Sequence, residues 1–301
     1  MNKLMLTSVA AGSVILAFSA SAATRTWTGA VSDVWEEDGN WTDGDGAAGV
    51  PQEGDSVIIG SSAADVSVLL SSSTPKLASL QVGNLYNVYK AANLTVVGWY
   101  TCIQADTVIL GGKAYVTCAG PSATMEEMSR VWIKCVDLTL KKENSTGQSG
   151  SINVTGKGFA TAGKDATGYG IGPGGAHLCG SASHGGYGAL AVMQMISNFG
   201  TNDSDYFPVA LPYDEASAPV LPGSSGPSNL YGANGAGGGV VRIEATGRVT
   251  VSSASILADG LSATNYDTFN SDNTCHDGAG AGGSIYITCK TFAGQSGTLR
   301  G

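Results

Sequence analysis

The sequence predicts an all-β fold, wound as a parallel β-helix with glycine-rich loop insertions and an N-terminal capping segment. Three observations carry that expectation. First, 44 of 301 residues are glycine, about twice the usual share. These glycines precede alternating strand-like runs, as in "GAGGGVVRIEATGRVTVSSASILADG" from 235 to 260. Apolar content is ordinary, so this is not the composition of a disordered chain. Second, the pattern repeats. Ala236–Ala245 aligns with Ala281–Lys290 at an offset of 45, and Ser255–Gly260 aligns with Ser151–Gly156 and loosely with Gly297–Gly301. Third, cysteines end short strand-like triplets at Cys102, Cys118 and Cys135, spaced 16 and 17 residues apart, and again at Cys289. Near-constant spacing of like residues is what stacked coils of a solenoid produce.

The elements follow in chain order. Residues 1–22 read as a secretory signal peptide: Lys3, an apolar run from Leu4 to Phe18, then the small residues Ser19–Ala23. Residues 23–60 form an acidic segment that carries three of the five tryptophans, Trp27, Trp35 and Trp41. These read as a cap over the end of the core, because the last coil of a solenoid otherwise exposes apolar surface and a bare strand edge. Residues 61–301 form the β-helix. Its coil walls are alternating runs such as Leu94–Val96, Leu138–Leu140, Ile152–Val154 and Val249–Val251. Glycines at the corners supply positive φ. The longest insertion, about 158–239, contains an apolar, helix-permissive stretch at Gly188–Gly200, and Met125–Arg130 reads as a short helical turn.

The N-terminal segment carries a Trp-x-Gly, Trp, Asn-Trp, Pro, Gly-Asp and Val-x-Ile succession at Trp27/Gly29, Trp35, Asn40/Trp41, Pro51, Gly54/Asp55 and Val57–Ile59. Downstream lie Ser183–Gly188, Pro222–Gly226, Ala236–Gly239 and Ala258–Gly260. Together these resemble glycine-rich β-helix surface and secreted proteins of bacteria, of the autotransporter-passenger or adhesin type. The resemblance covers most of the chain after the signal and implies a right-handed coil, export and often a longer parent chain. Its motifs are structural rather than catalytic. The chain stops mid-repeat at Gly301, which reads as a fragment of a longer protein.

The formal charge is −9 with only 15 Lys and Arg, which argues against nucleic acid as a partner. Hard cations want clustered carboxylates, so Asp43–Gly46 and, more weakly, Asn202–Asp205 are the candidate calcium loops; no EF-hand or β-roll spacing accompanies them. No metal ligands and no catalytic residues are assigned. His177, His184 and His276 sit in glycine-rich loops near Cys179 and Cys275 without recurring ligand spacing. A disulfide between Cys179 and Cys275 is preferred there, tying two long loops together. Cys102, Cys118 and Cys135 read as a stacked ladder of buried thiols. No Gly-x-Ser-x-Gly elbow is present, and Gly223–Gly226 reads as a turn.

These features predict a secreted or cell-surface protein, structural or adhesin-like, with no catalysis evident. Extracellular polysaccharide or other cell-surface components are its candidate partners. The alternatives are a polysaccharide lyase or glycosidase, for which Arg242, Arg248, Lys290, Glu244 and Asp259 are the available groups, and a carbohydrate-binding module, for which Trp27, Trp35, Trp41, Trp99 and Trp132 are the available aromatics, the first three having the simpler reading as a cap. An enzyme requires acids converging in one groove; a binding module requires exposed aromatics.

Overall fold

The structure is a computed structural model that describes residues 22–60, 63–83, 90–143, 149–160, 170–176, 180–189, 210–227, 235–262 and 278–301. The signal-peptide residues 1–21, Cys179, Cys275, His177, His276, Asn202–Asp205 and most of Gly188–Gly200 lie outside the described residues.

Among the described residues, every regular element apart from a 3-10 turn at Asp38–Asn40 is a strand. In order these are β1 (Thr24–Trp27), β2 (Trp41–Thr42), β3 (Ser56–Ile59), β4 (Val66–Leu70), β5 (Leu77–Val82), β6 (Ala92–Val96), β7 (Ile103–Leu110) and β8 (Ala114–Cys118). After them come β9 (Val131–Lys141), β10 (Ser151–Asn153), β11 (Val240–Ala245), β12 (Arg248–Ser252), β13 (Ser255–Leu257), β14 (Ser284–Thr288), β15 (Thr291–Ala293) and β16 (Thr298–Arg300). They form two sheets. The ten-stranded sheet runs β14-β11-β9-β7-β5-β3-β1-β2, with β12 and β15 joined beside β9. The six-stranded sheet runs β16-β13-β10-β8-β6-β4. All ladders between strands are parallel except β1–β2.

This arrangement corrects the expected right-handed parallel β-helix. The strands belong to two separate parallel-rich sheets, and no closed barrel or solenoid is formed among the described residues. The cysteine spacing misled because it measures the step between the sheets. Cys102 lies just before β7 in one sheet, Cys118 ends β8 in the other, and Cys135 lies in β9 back in the first. Within the ten-stranded sheet, Ile103 pairs with Ile133, a step of 30 residues. The cysteine ladder is therefore also corrected. Cys135 stands between Ala105 and Ala245, and Cys118 stands beside Val96. The three are separate buried thiols, and burial pushes them up to about 11 for Cys102 and about 12 for Cys118 and Cys135. Such thiols hold their protons and pack as small apolar groups.

The core is built from columns of like residues. One column in the six-stranded sheet runs Val68, Leu94, Val116, Ile152, Ile256 and ends on the exposed Leu299. Another in the ten-stranded sheet runs Val57, Leu80, Val108, Leu138, Val249. Each fully buried Leu or Ile contributes about 1.5–3 kcal/mol relative to exposure. The strict in-out alternation breaks once in β9, where Val136 and Asp137 are both exposed. The sheet bends there. The first half of β9 pairs with β11 and the second half with β12.

The N-terminal segment adds β1 and β3 to the ten-stranded sheet and its tryptophans to the common core. Trp41 packs edge-on against Trp27 and Trp35, with ring centroids 4.9 and 4.7 Å apart, and its indole N–H donates to the Trp35 carbonyl at 2.7 Å. Buried Asn40 ties the segment together. Its Oδ1 accepts the Val31 and Ser32 N–H groups, and its Nδ2 donates to Ser32 Oγ and the Val34 carbonyl. Glu36 reaches across to accept the N–H groups of Ser71 and Ser72.

The glycine runs serve a purpose other than the expected corners. None of Gly223, Gly226, Gly235, Gly237, Gly238, Gly280 and Gly283 has positive φ. They lie where backbone packs on backbone. A Cβ at Gly237 would come within 1.8 Å of the Gly223 carbonyl oxygen, and one at Gly226 within 1.9 Å of that of Gly278. The freed space is filled by backbone bonds between segments, such as Gly158 N–H to Gly237 O (2.7 Å), Gly223 N–H to Gly238 O (2.8 Å) and Gly238 N–H to Ala281 O (2.8 Å). This layer carries the chain from the six-stranded sheet back to the ten-stranded one, through Gly239 N–H to Val154 O and Gly283 N–H to Ala258 O. Met125–Arg130 is a turn closed by Met128 N–H on the Met125 carbonyl (3.3 Å), and not a helix.

Candidate ligand-binding face

The pleat that buries Val131, Ile133 and Cys135 turns Trp132 and Lys134 outward on β9. The parallel register sets neighbours beside them. Trp132 stands beside Arg242, which stands beside Tyr286; Gln104, Lys134, Glu244 and Thr288 form the next row. Arg130, just before β9, completes the group. Its guanidinium lies between two indoles, 4.5 Å from the Trp132 ring centroid and 4.7 Å from that of Trp99. Lys134 Nζ and the Arg242 guanidinium also lie over Trp132, at 4.4 and 5.3 Å. One indole thus gathers three cations, an arrangement favoured by the negative ring face.

Trp99 is fixed by its loop. Gly98 takes φ +95°, and its N–H donates to Ser129 Oγ at 2.9 Å, next to Arg130 in the chain. Thr101 Oγ1 closes the loop by donating to the Val97 carbonyl at 2.5 Å.

The charges on this face do not balance. Glu244 is bound by Arg242 at 2.5 Å and by Lys134 at 3.8 Å. Those pairs leave Arg130 out. It is 5% exposed, and both its Nε and the Trp132 Nε1 are buried without a hydrogen-bond partner. Burial first, and Arg242 second, push the Arg130 guanidinium below its ordinary value. The unmet cost of burying such a group is substantial.

Beside this cluster runs a shallow groove of about 510 Å³, lined by Lys76, Gln104, Asp106, Lys134, Glu244 and Thr288 among others. It holds two carboxylates, Asp106 and Glu244, each engaged by a cation; Lys76 meets Asp106 at 3.0 Å. Of the groups considered for catalysis, the fold joins only Arg242 and Glu244. Asp259 follows β13 of the other sheet and binds Arg300 at 2.7 Å. Arg248 begins β12 and Lys290 follows β14, both past the bend.

A second cluster was not legible in the sequence. His184 Nε2 lies 3.2 Å from Asp214 Oδ2 and 3.5 Å from Ser284 Oγ. The three residue types are those of a hydrolase triad, but the geometry is not. Serine and aspartate share one ring nitrogen, and Ser284, 1% exposed, donates to the Leu221 carbonyl at 2.6 Å. The cluster instead fastens the long insertion to the start of β14. Burial opposes ionisation of Asp214, yet the N–H groups of Leu221, Glu215 and Val220, together with His184, hold its carboxyl below the ordinary range. Tyr213 stacks near His184 and donates to the Pro222 carbonyl at 2.5 Å; burial raises its hydroxyl to about 12.

No group of three potential metal ligands occurs among the described residues. In the candidate calcium loop, Asp43 Oδ1 accepts the Asp45 and Ala47 N–H groups, and its other oxygen faces Arg25 at 3.6 Å. The carboxylate closes its own turn, and the Ala47 N–H is the chief cause of its lowered pKa. Gly223–Gly226 is part of the glycine layer. Ser224 and Ser225 are buried and accept the Gly174 and Ile171 N–H groups. Comparison with protein-family models, with curated proteins and with solved structures yields no match for this chain.

Proposed function

We propose that the chain is an extracellular structural or adhesin-like protein of the bacterial cell surface that recognises its partner, without catalysis, through the outer face of the ten-stranded sheet. One observation carries this reading: a rigid, column-packed scaffold gathers Trp99, Arg130, Trp132, Lys134 and Arg242 on a single outward surface. Tyr100 stands beside them, 79% exposed. Aromatic faces among polar groups suit polysaccharide, whose sugar rings stack on indoles while hydroxyls bond the rim. The apolar leader at 1–22 and the resemblance of the tryptophan-rich opening to bacterial surface proteins support export. The two carboxylates of the groove, Asp106 and Glu244, are each engaged by a cation, which favours binding over hydrolysis.

A glycan array probed with the chain from residue 23 onward, followed by product analysis on every retained sugar, tests this. Retention of at least one polysaccharide class with no shortened products is expected. Released oligosaccharides would establish the lyase or glycosidase alternative, and no retention on any glycan would overturn recognition by this face.

A further inference from the structure

The electrostatics of the same face narrow the ligand, an inference that rests on the recognition role proposed above. We infer that the cluster around Trp132 is a receptor for an acidic saccharide, with the sugar ring against an indole and its anionic group, a carboxylate or a sulfate ester, held by Arg130 and Arg242.

The chain is acidic overall, at −9, yet three cations converge on one ring here against a single carboxylate. In an acidic protein such a concentration is not a solvated surface average. Glu244 forms ion pairs with Arg242 and Lys134, and acts on Arg130 only at longer range, with no ion pair between them. Arg130 is the informative residue. Buried guanidinium groups are normally paired with a carboxylate or phosphate. This one is flanked only by the faces of Trp99 and Trp132, which offer attraction but accept no in-plane hydrogen bond. Its Nε and the Trp132 Nε1 are two buried donors of one cluster with no acceptor among the described residues. An anion brought to this cluster supplies the missing acceptor.

The surroundings say what carries the anion. A free small ion needs no aromatic floor. Here Arg242 and Trp132 are followed in register by Tyr286, and Tyr100 projects nearby, so the cations lie within a row of aromatic surface. Gln104 and Thr288 extend the row with neutral hydrogen-bonding groups along the groove. A repeated sugar with one acid group per ring matches that alternation. The planar fork of arginine suits both carboxylate and sulfate.

Isothermal titration of the chain from residue 23 onward with oligogalacturonate, a sulfated chondroitin oligosaccharide and a neutral cello-oligosaccharide separates the outcomes. At least one acidic oligomer should bind tenfold or more tightly than the neutral one, with affinity falling as salt is raised; which one binds identifies carboxylate or sulfate. Arg130→Gln and, independently, the more exposed Arg242→Gln should each weaken that binding about tenfold. Tyr115→Ala on the other sheet should leave it unchanged, and circular dichroism should show all variants folded. Because Arg130 is buried, Arg242→Gln keeps the test decisive if Arg130→Gln does not fold. Neutral and acidic oligomers binding equally, with both arginine variants unaffected, would overturn the acidic-saccharide inference and leave glycan recognition standing. Binding of none of the three would overturn this inference; the glycan array decides recognition separately.

Discussion

The two sheets are alike inside and different outside. Both bury columns of Val, Leu and Ile in parallel register. Outward, the six-stranded sheet shows Ser67, Asn93, Tyr115, Ser151, Ser255 and Thr298 in one row, and Asn153, Leu257 and Arg300 in another. Its outward charge is confined to Arg300, which Asp259 neutralises. The ten-stranded sheet shows Gln104, Asp106, Trp132, Lys134, Arg242, Glu244 and Tyr286. Because the interiors match, the difference is not required by the fold. It lies in the residues that can change without disturbing the core, and there it points to a partner.

The interior likeness can be broken first. The largest effect is expected where the glycine layer connects the sheets. Gly237→Ala forces a Cβ onto the Gly223 carbonyl and should abolish cooperative unfolding by circular dichroism. Gly185→Ala, with open space around it, should unfold like the parent. Next, Leu138→Ala in the ten-stranded sheet and Leu94→Ala in the six-stranded one should each cost about 2–5 kcal/mol by denaturant titration. Unequal costs beyond that range would show that the cores differ. The outer faces should then separate. Tyr115→Ala should change stability by no more than about 0.5 kcal/mol. Trp132→Ala should cost more, since it strips the ring from three cations.

The smallest effect is acid sensitivity at the insertion. The folded pKa of Asp214 is depressed, so its stabilisation is present above the ordinary 3.8 and is lost as pH falls through the lower folded value. Asp214→Asn should therefore flatten the acid limb of the melting-temperature profile. A parent profile already flat across that window would contradict the fastening role of His184, Asp214 and Ser284.

Strand content and the importance of the clustered tryptophans Trp27, Trp35 and Trp41, which are buried in the core, were legible because period-two alternation and apolar clustering are local signals. The pairing of Ser151–Asn153 with Ser255–Leu257 was also legible, since like residues stack. Register elsewhere was not. The glycine alignment at an offset of 45 slips by one from the observed pairing of Val241 with Ile285, and one residue turns every side chain to the other face. Aligning on glycine fails because those glycines mark close backbone approach, which has no side-chain period. The two-sheet arrangement was hidden because cysteines of different sheets happened to be evenly spaced. In the sequence Arg242 and Glu244 stand out as candidate catalytic groups, and Trp99 and Trp132 only as two of five tryptophans. Arg130 does not stand out, because its meaning comes from the absence of an acid beside it in space. The His184 cluster joins residues 30, 70 and 100 positions apart, beyond any local motif.

Hydroxyl-radical footprinting of the chain from residue 23 onward, with and without a polysaccharide retained on the array, tests the difference between the faces most directly. Tyr100, in the loop before β7 beside the Trp132 cluster, and Tyr115, on β8 of the six-stranded sheet, are exposed reporters, 79% and 40% accessible. The account predicts protection of Tyr100 and Trp132 on binding, with Tyr115 oxidised at its free rate. Protection of Tyr115 alone, or of both faces equally, would contradict it.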